Sequence, residues 1–309
     1  MGITHEGGNN LPLTPSPLRY PGGKTKLYNY VKSIIEVNNL IGETYIEPFA
    51  GGAGLALKLL LNNDVKKIVI NDLDPAIYAF WYCVLNYPDE MCDYVTTVSL
   101  TVEEWDNQHR IYVNQQNHTQ LELAKATLFL NRTNVSGVIT GGVIGKRDQT
   151  GKYKIDARFN REELARKIRA ISALSKKIDL YNLDAVTFLQ NELHHYYKAF
   201  INFDPPYVVK GGQLYKNSFT EEDHRTLRNQ IAQCKRKWIV TYDVCDLVAE
   251  LYSNFRGSTV DIYYSANGAK KAKEYIFFSN NLILPEGTIF INKNENCAFY
   301  EQIQSCYIR

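Results

Sequence analysis

After Arg19 the chain alternates short β-rich runs with helical stretches, and this rhythm restricts the fold more than any other feature. The β-rich runs are Thr44–Pro48, Lys67–Asn71, Lys177–Tyr181, Ala199–Phe203, Lys237–Tyr242, Thr259–Tyr264 and Tyr275–Ser279. Helical periodicity falls between them, in Gly54–Leu61, Pro75–Leu85, Glu221–Cys234 and Asp246–Leu251. Strands fed by helices in this way wind into an α/β sheet. The rhythm lapses between Pro88 and Ala173. There an apolar-faced helix, Leu121–Leu130, precedes a basic Gly-rich stretch, Gly137–Lys154, and a basic amphipathic helix, Arg161–Lys177. This pattern predicts a catalytic domain over 18–87 and 174–284, interrupted by a mostly helical domain with a β-hairpin over 88–173. Residues 1–17 and 285–309 are left as tails, the second without an assigned role.

Charge is distributed unevenly. Twelve Lys/Arg against four Asp/Glu lie between Arg132 and Lys177, while the whole chain of 309 residues carries only +2. A local excess of this size is what phosphate contact requires, although a solvated helix face gives the same count. No apolar run is long enough to cross a bilayer, and Met1–Pro17 lacks the apolar stretch of a signal peptide, so the expected compartment is cytoplasmic. Cys83, Cys92, Cys234, Cys245, Cys297 and Cys306 show no C-x-x-C spacing, and His194-His195 has no third ligand in view. Reduced thiols, a surface histidine pair and no metal site are the expectation.

Three motifs carry chemistry. Asp204-Pro205-Pro206-Tyr207 follows the apolar run Phe200–Phe203, at the carboxyl end of a strand, where open α/β sheets bind ligands. By chance such a tetrapeptide occurs in about one chain of this length in a thousand. An aromatic amine is a poor nucleophile because its lone pair is delocalised into the ring. The Asp204 carboxylate can accept one of its N–H groups and the Pro205 carbonyl the other. Together they pull the nitrogen toward a tetrahedral shape and stabilise the positive charge that forms there. Consecutive prolines hold the acceptors rigid, and Tyr207 offers a flat face for an unstacked base. The second motif, Tyr45-Ile46-Glu47-Pro48-Phe49-Ala50-Gly51-Gly52-Ala53-Gly54, is a strand, a glycine turn and a helix start. Asp72 follows Gly51 by 21 residues, near the end of the next strand, where an acid can accept ribose hydroxyls. Its glycines do not match G-x-G-x-x-G, which disfavours a dinucleotide. The third, Leu18-Arg19-Tyr20-Pro21-Gly22-Gly23-Lys24-Thr25, ends like a phosphate-binding loop but has Leu18 where glycine is needed and no strand before it. Tyr20 and Lys24 suit instead a loop covering a cofactor, with the amine on a carboxylate.

In this order, over about Pro17 to Ser279, these motifs resemble the DNA adenine methyltransferases of the Dam type, the D12 class or alpha group of amino-methyltransferases. The resemblance implies a Rossmann-like methyltransferase fold with a mixed seven-stranded sheet and an inserted target-recognition domain. It implies S-adenosylmethionine bound by Tyr20, Gly23 and Lys24, with a methionine-side contact from Glu47-Pro48-Phe49 and Gly51. Asp72 would then hold the ribose, Asp184 the cofactor's adenine, and Asp204–Tyr207 the target amine. The usual aromatic at Tyr20 is Trp. Leu130-Asn131-Arg132 matches a segment ahead of a DNA-entering hairpin, which implies DNA contact by Asn131, Arg132, Lys146, Arg147, Lys152 and Lys154, some to phosphates and some to base edges. The hairpin, Val138–Gly145, departs from the best-known members, so no target sequence carries over. Ser218–His224 is similar to the family's helix start after the catalytic loop, with Thr220 as N-cap.

The expected function is therefore N6 methylation of an adenine flipped from double-stranded DNA, by a monomer or weak dimer, with a cognate restriction endonuclease as a candidate partner. Two alternatives stand beside it: an RNA or cytosine-N4 amino-methyltransferase, separable by nucleoside mass analysis, and a DNA-binding module with a silent cofactor site, separable by cofactor titration.

Overall fold

The computed structural model describes residues 14–20, 23–208, 219–264 and 270–288. Pro21, Gly22, Ser218, Cys297, Cys306 and most of both tails lie outside the described residues.

Seven strands form one sheet in the order β3-β2-β1-β4-β5-β7-β6. They are β1 (Thr44–Glu47), β2 (Lys67–Asn71), β3 (Ile178–Tyr181), β4 (Ala199–Phe203), β5 (Lys237–Asp243), β6 (Arg256–Tyr264) and β7 (Lys270–Phe278). The first five pair in parallel, while β7 runs antiparallel to both β5 and β6. The sheet is mixed, as the β-rich runs predict, and each run lies within or beside an observed strand. Two strands reach further toward their N-terminal ends than the apolar pattern suggests: β6 begins at Arg256 and β7 at Lys270. Backbone pairing between them continues where the side chains turn polar.

β1 sits between β2 and β4, with Ile46 level with Ile201. The chain therefore leaves these two central strands side by side at their carboxyl ends, after Glu47 and after Phe203. This is where the strand order reverses and a crevice opens.

The helices are α1 (Tyr28–Val37), α2 (Gly54–Leu61), α3 (Pro75–Asn86), α4 (Pro88–Thr97), α5 (Val102–Val113), α6 (Gln120–Thr133), α7 (Arg161–Ser172), α8 (Ala185–Asn191), α9 (Glu221–Gln233) and α10 (Asp246–Leu251). Their starts are written locally. Asp74 caps α3 ahead of Pro75, and capping boxes built on Thr119 and Glu122 and on Thr220 and Asp223 open α6 and α9. Helix α7 stops at Ser172, short of the predicted Lys177, and a 3-10 turn, Ser175–Lys177, leads into β3.

The insertion is helical (α4 to α7), but the expected hairpin at Val138–Gly145 is a run of turns closed by one isolated bridge, Asn134 to Val143. Val138 to Gly145 is rich in glycine and turns back too often for a ladder to build; Gly141 N–H already bonds the Val138 carbonyl. Nor does the insertion close off a core of its own. One buried cluster runs from Ile34, Leu57 and Trp81 into Phe129, Leu164 and Ile168. A second cluster, with Ile201, Trp238 and Phe277, packs the other face of the sheet. The N-terminal tail is also less separate than its composition suggests, since Pro15–Leu18 is buried.

Candidate active site

A cavity of about 420 Å³ lies at the ends of β1, β2 and β4. It draws together the three motifs, which are far apart in sequence: Tyr20, Gly23 and Lys24; Glu47–Leu55 with Asp72; and Asp204 with Pro206. Leu183, Asp184 and Phe219 complete one side, and Arg19, Arg132 and Ser136–Thr140 the other.

Asp204 follows the last residue of β4, and its side chain is 24% exposed. Lys24 reaches it across the cavity floor, with Nζ 2.7 Å from Oδ1 and 2.8 Å from Oδ2. The Thr241 hydroxyl on β5 donates to Oδ1 at 3.0 Å. A carboxylate offers about four lone-pair sites. Among the described residues three are used here, two on Oδ1 and one on Oδ2. Burial raises the Asp204 pKa, and Lys24 pulls against that rise. Burial works to lower the Lys24 pKa, but the Asp204 and Glu274 carboxylates outweigh it and the net shift is upward.

Tyr207 departs from expectation. Its ring is buried and does not line the cavity; its hydroxyl accepts from Lys24 at 2.7 Å and donates to Glu274 at 2.5 Å. A ring buried in this way is not an open stacking face in this arrangement. Aromatic lining comes from Phe49 and Phe219, whose centroids lie 6.0 Å apart, edge to face, and from Tyr20 and Tyr112. In the sequence Phe49 is expected as a methionine-side cofactor contact, not as a stacking partner. Pro205 is buried beside the cavity.

The glycine turn is held from two directions. Gly51 N–H donates to Asp72 Oδ2 at 2.7 Å, and the Gly51 carbonyl accepts the Trp81 indole N–H at 2.9 Å. Gly51 has φ +45°, and a Cβ there would meet the Tyr20 ring at 2.6 Å. The aromatic of the first motif thus lies on the glycines of the second. Asn71 ties the Glu47-Pro48 turn to the Leu183-Asp184 turn by donating to the Pro48 and Leu183 carbonyls, each at 2.9 Å. Burial pushes the Glu47 carboxyl up to about 8, with Asp204 adding to the rise, although the Tyr45 hydroxyl donates to Glu47. Burial likewise lifts Asp72 to about 7, against N–H bonds from Asp74 and Gly51. Two acids held above their usual range in one cavity suit a cationic ligand. Asp184 lines the cavity too, but its Oδ1 caps α8 through the N–H groups of Val186 and Thr187.

The predicted DNA contacts divide. Asn131 is fully buried; it accepts from Arg19 N–H at 2.7 Å and donates to the Arg19 and Gly137 carbonyls, each at 2.8 Å. It clasps the Arg19 segment to α6 and has no surface to offer DNA. Arg132 turns into the cavity wall, where burial lowers its pKa to about 10 and Arg19 adds to that. Lys146, Arg147, Lys152 and Lys154 are exposed. Arg147 pairs with Asp106 at 2.7 Å, and Lys154 Nζ donates to the Gln149 carbonyl.

The acidic loop at the end of a central strand, the glycine turn and the acids Glu47 and Asp72 thus share one cavity in a mixed seven-stranded α/β fold. The family profile for D12 class N6 adenine-specific DNA methyltransferases matches residues 20–265, and the chain belongs to that family. A Type II methyltransferase of Methanocaldococcus jannaschii, M.MjaIII, is 23% identical over 219 residues, spanning 67% of this chain and 73% of that protein. Among solved structures, a Pyrococcus horikoshii protein provisionally described as an RNA methyltransferase aligns with 89% of this chain and 92% of its own, at TM-score 0.41 and 11% identity. TrmK of M. capricolum, solved with S-adenosyl-homocysteine, aligns with 82% and 70%, at TM-score 0.34 and 10% identity. Likenesses this distant carry no argument, and the family assignment rests on sequence.

Proposed function

We propose that the chain transfers the methyl group of S-adenosylmethionine to the N6 amine of an adenine flipped out of double-stranded DNA, at Asp204. The observation that carries this reading is the Asp204 carboxylate, fixed by Lys24 and Thr241 on the lining of a cavity that also holds Glu47 and Asp72. Tyr20, Gly51, Glu47 and Asp72 would hold the cofactor, and the fit rests on the two acids, which line the cavity and suit a ligand that carries a sulfonium and an ammonium. When bound, that cofactor supplies an electrophilic methyl group.

The chain's own residues then do the following. Asp204 Oδ2 accepts one amine N–H and the Pro205 carbonyl the other, which turns the nitrogen lone pair toward the methyl. Lys24 and Thr241 fix the carboxylate so that it need not reorganise as charge develops. Phe49 and Phe219, packed edge to face on the cavity wall, offer an apolar surface beside the base. Lys146, Arg147, Lys152 and Lys154 meet phosphates or base edges, with Arg147 leaving Asp106 to do so. Arg132 lies on the cavity wall, where it can meet a phosphate of the flipped nucleotide.

The test is methyl transfer from labelled S-adenosylmethionine to DNA, followed by nucleoside mass analysis. N6-methyladenine should appear, and Asp204→Ala should lower the rate by about a hundred- to a thousandfold with the fold intact. Methylation of cytosine or RNA alone, or near-normal activity in Asp204→Ala, would overturn the reading.

A further inference from the structure

Glu274 has no part in the mechanism above, yet it touches Lys24, which does, and Tyr207 of the catalytic tetrapeptide. It sits on β7, 1% exposed, level with Asp243 on β5 and Val260 on β6. Its Oε1 accepts the Tyr207 hydroxyl at 2.5 Å, and its Oε2 is 3.5 Å from Lys24 Nζ. Lys24, itself 3% exposed, thus stands between two carboxylates.

Charge counting gives this arrangement its meaning. A lone Lys24–Asp204 pair would present no net charge to an amine in the cavity. Among the described residues, Glu274 sets a second carboxylate beside the one ammonium of Lys24. During transfer the N–C bond forms as the C–S bond breaks, the sulfonium charge moves onto the nitrogen, and it later leaves as a proton to solvent. A second carboxylate drawing on Lys24 favours that shift of charge toward Asp204. The same contacts hold Tyr207, whose hydroxyl bridges Lys24 and Glu274.

We propose that Glu274 is a positioning residue for methyl transfer, one that shares Lys24 with Asp204 and so leaves the amine-holding carboxylate less fully neutralised by that lysine. This rests on the amine reading of Asp204 given above.

The pH profile separates this role from simple support of the fold. The ionisable groups facing the cluster are Lys24 from the 3-10 turn, Asp204 and Tyr207 from the catalytic loop, Asp243 from β5, and Glu47, whose charge couples to Asp204. Glu274 raises the pKa of Asp204 and that of Lys24. In Glu274→Gln both therefore fall. Activity should drop about tenfold or more in kcat with KM for the donor changed less than about twofold. Both limbs of the kcat profile should move to lower pH, by about one pH unit. Damage to packing has no reason to move the acid limb that way. Tyr207→Phe, which keeps the charge and loses the bridge, should lower the plateau and leave the limbs in place. If Gln at this buried position does not fold, Glu274→Asp, with its carboxylate withdrawn by one methylene, should shift both limbs in the same direction by less.

Limbs that stay put in both Glu274 variants, or that move equally in Tyr207→Phe, overturn the proposal and leave the amine reading intact. Full activity in Asp204→Ala removes the amine reading itself, which the wild-type and Asp204 measurements report separately from Glu274.

Discussion

Asn131 is where a residue's chemistry and its place diverge most. A buried Asn making three bonds to backbone groups of two separate segments is a fastener, whatever family motif it belongs to. In Asn131→Ala the Arg19 N–H and the carbonyls of Arg19 and Gly137 lose their partner inside the protein. The expected loss is about 2–3 kcal/mol of stability, read by chemical denaturation. Reduced DNA affinity with unchanged stability would instead restore Asn131 as a contact residue. Gly51 gives the matching prediction on the cofactor side. Its φ of +45° and the 2.6 Å approach of Tyr20 leave no room for a methyl group. Gly51→Ala should weaken S-adenosylmethionine binding about tenfold or more by titration, since the turn must shift by enough to disturb its bonds to Asp72 and Trp81. Binding within about twofold of wild type would mean that the turn tolerates the shift.

Elements were legible in the sequence where a local signal coincided with burial. Helix α2 runs from Gly54 to Leu61 and β4 from Ala199 to Phe203, as their periodicity and apolar runs predict. Helix α9 starts where Thr220 and Asp223 place it, and Thr220→Ala should cost about 1 kcal/mol in thermal or denaturant unfolding. A change near zero would mean that packing of Leu227 and Ile231 alone fixes this helix start. The hairpin failed as a reading because strand propensity in Val138, Ile139, Val143 and Ile144 was set against four neighbouring glycines, and the turns won. Glu274 was missed for a related reason. Lys270–Glu274 is polar, so the apolar run of β7 appears to begin at Tyr275, and an acid just before a strand attracts no notice. Only the pairing of β7 with β5 brings it under Lys24. Asp204, Glu47, Asp72 and Lys24 could be read because their motifs are contiguous; the contacts that hold them, from Asn71, Trp81, Thr241 and Glu274, are contacts of tertiary structure with no spacing of their own.

At the scale of the whole molecule, the two acids of the cavity tie cofactor binding to pH. Burial holds Glu47 at about 8 and Asp72 at about 7, against ordinary values of 4.5 and 3.8. Between those limits the folded protein carries protons that the unfolded chain has lost. The ligand-free protein is therefore destabilised as pH rises through about 4 to 8, because ionising these groups in the fold is harder than in water. A cationic ligand reverses the preference at the site, since it binds better to the two carboxylates than to their acids. Binding must then release protons wherever the free protein still holds them. S-adenosylmethionine affinity should rise from pH 6 to 8, by up to about tenfold per pH unit for each proton released, and level off above. The gain in unfolding temperature on adding cofactor should grow over the same interval. Calorimetry at pH 6.5 in two buffers of different ionisation enthalpy measures the released protons directly. Identical heats in both buffers, or an affinity that climbs on acidification, would mean that these carboxyls do not face the cofactor's positive charge, and Glu47 and Asp72 would lose their assigned place in binding it.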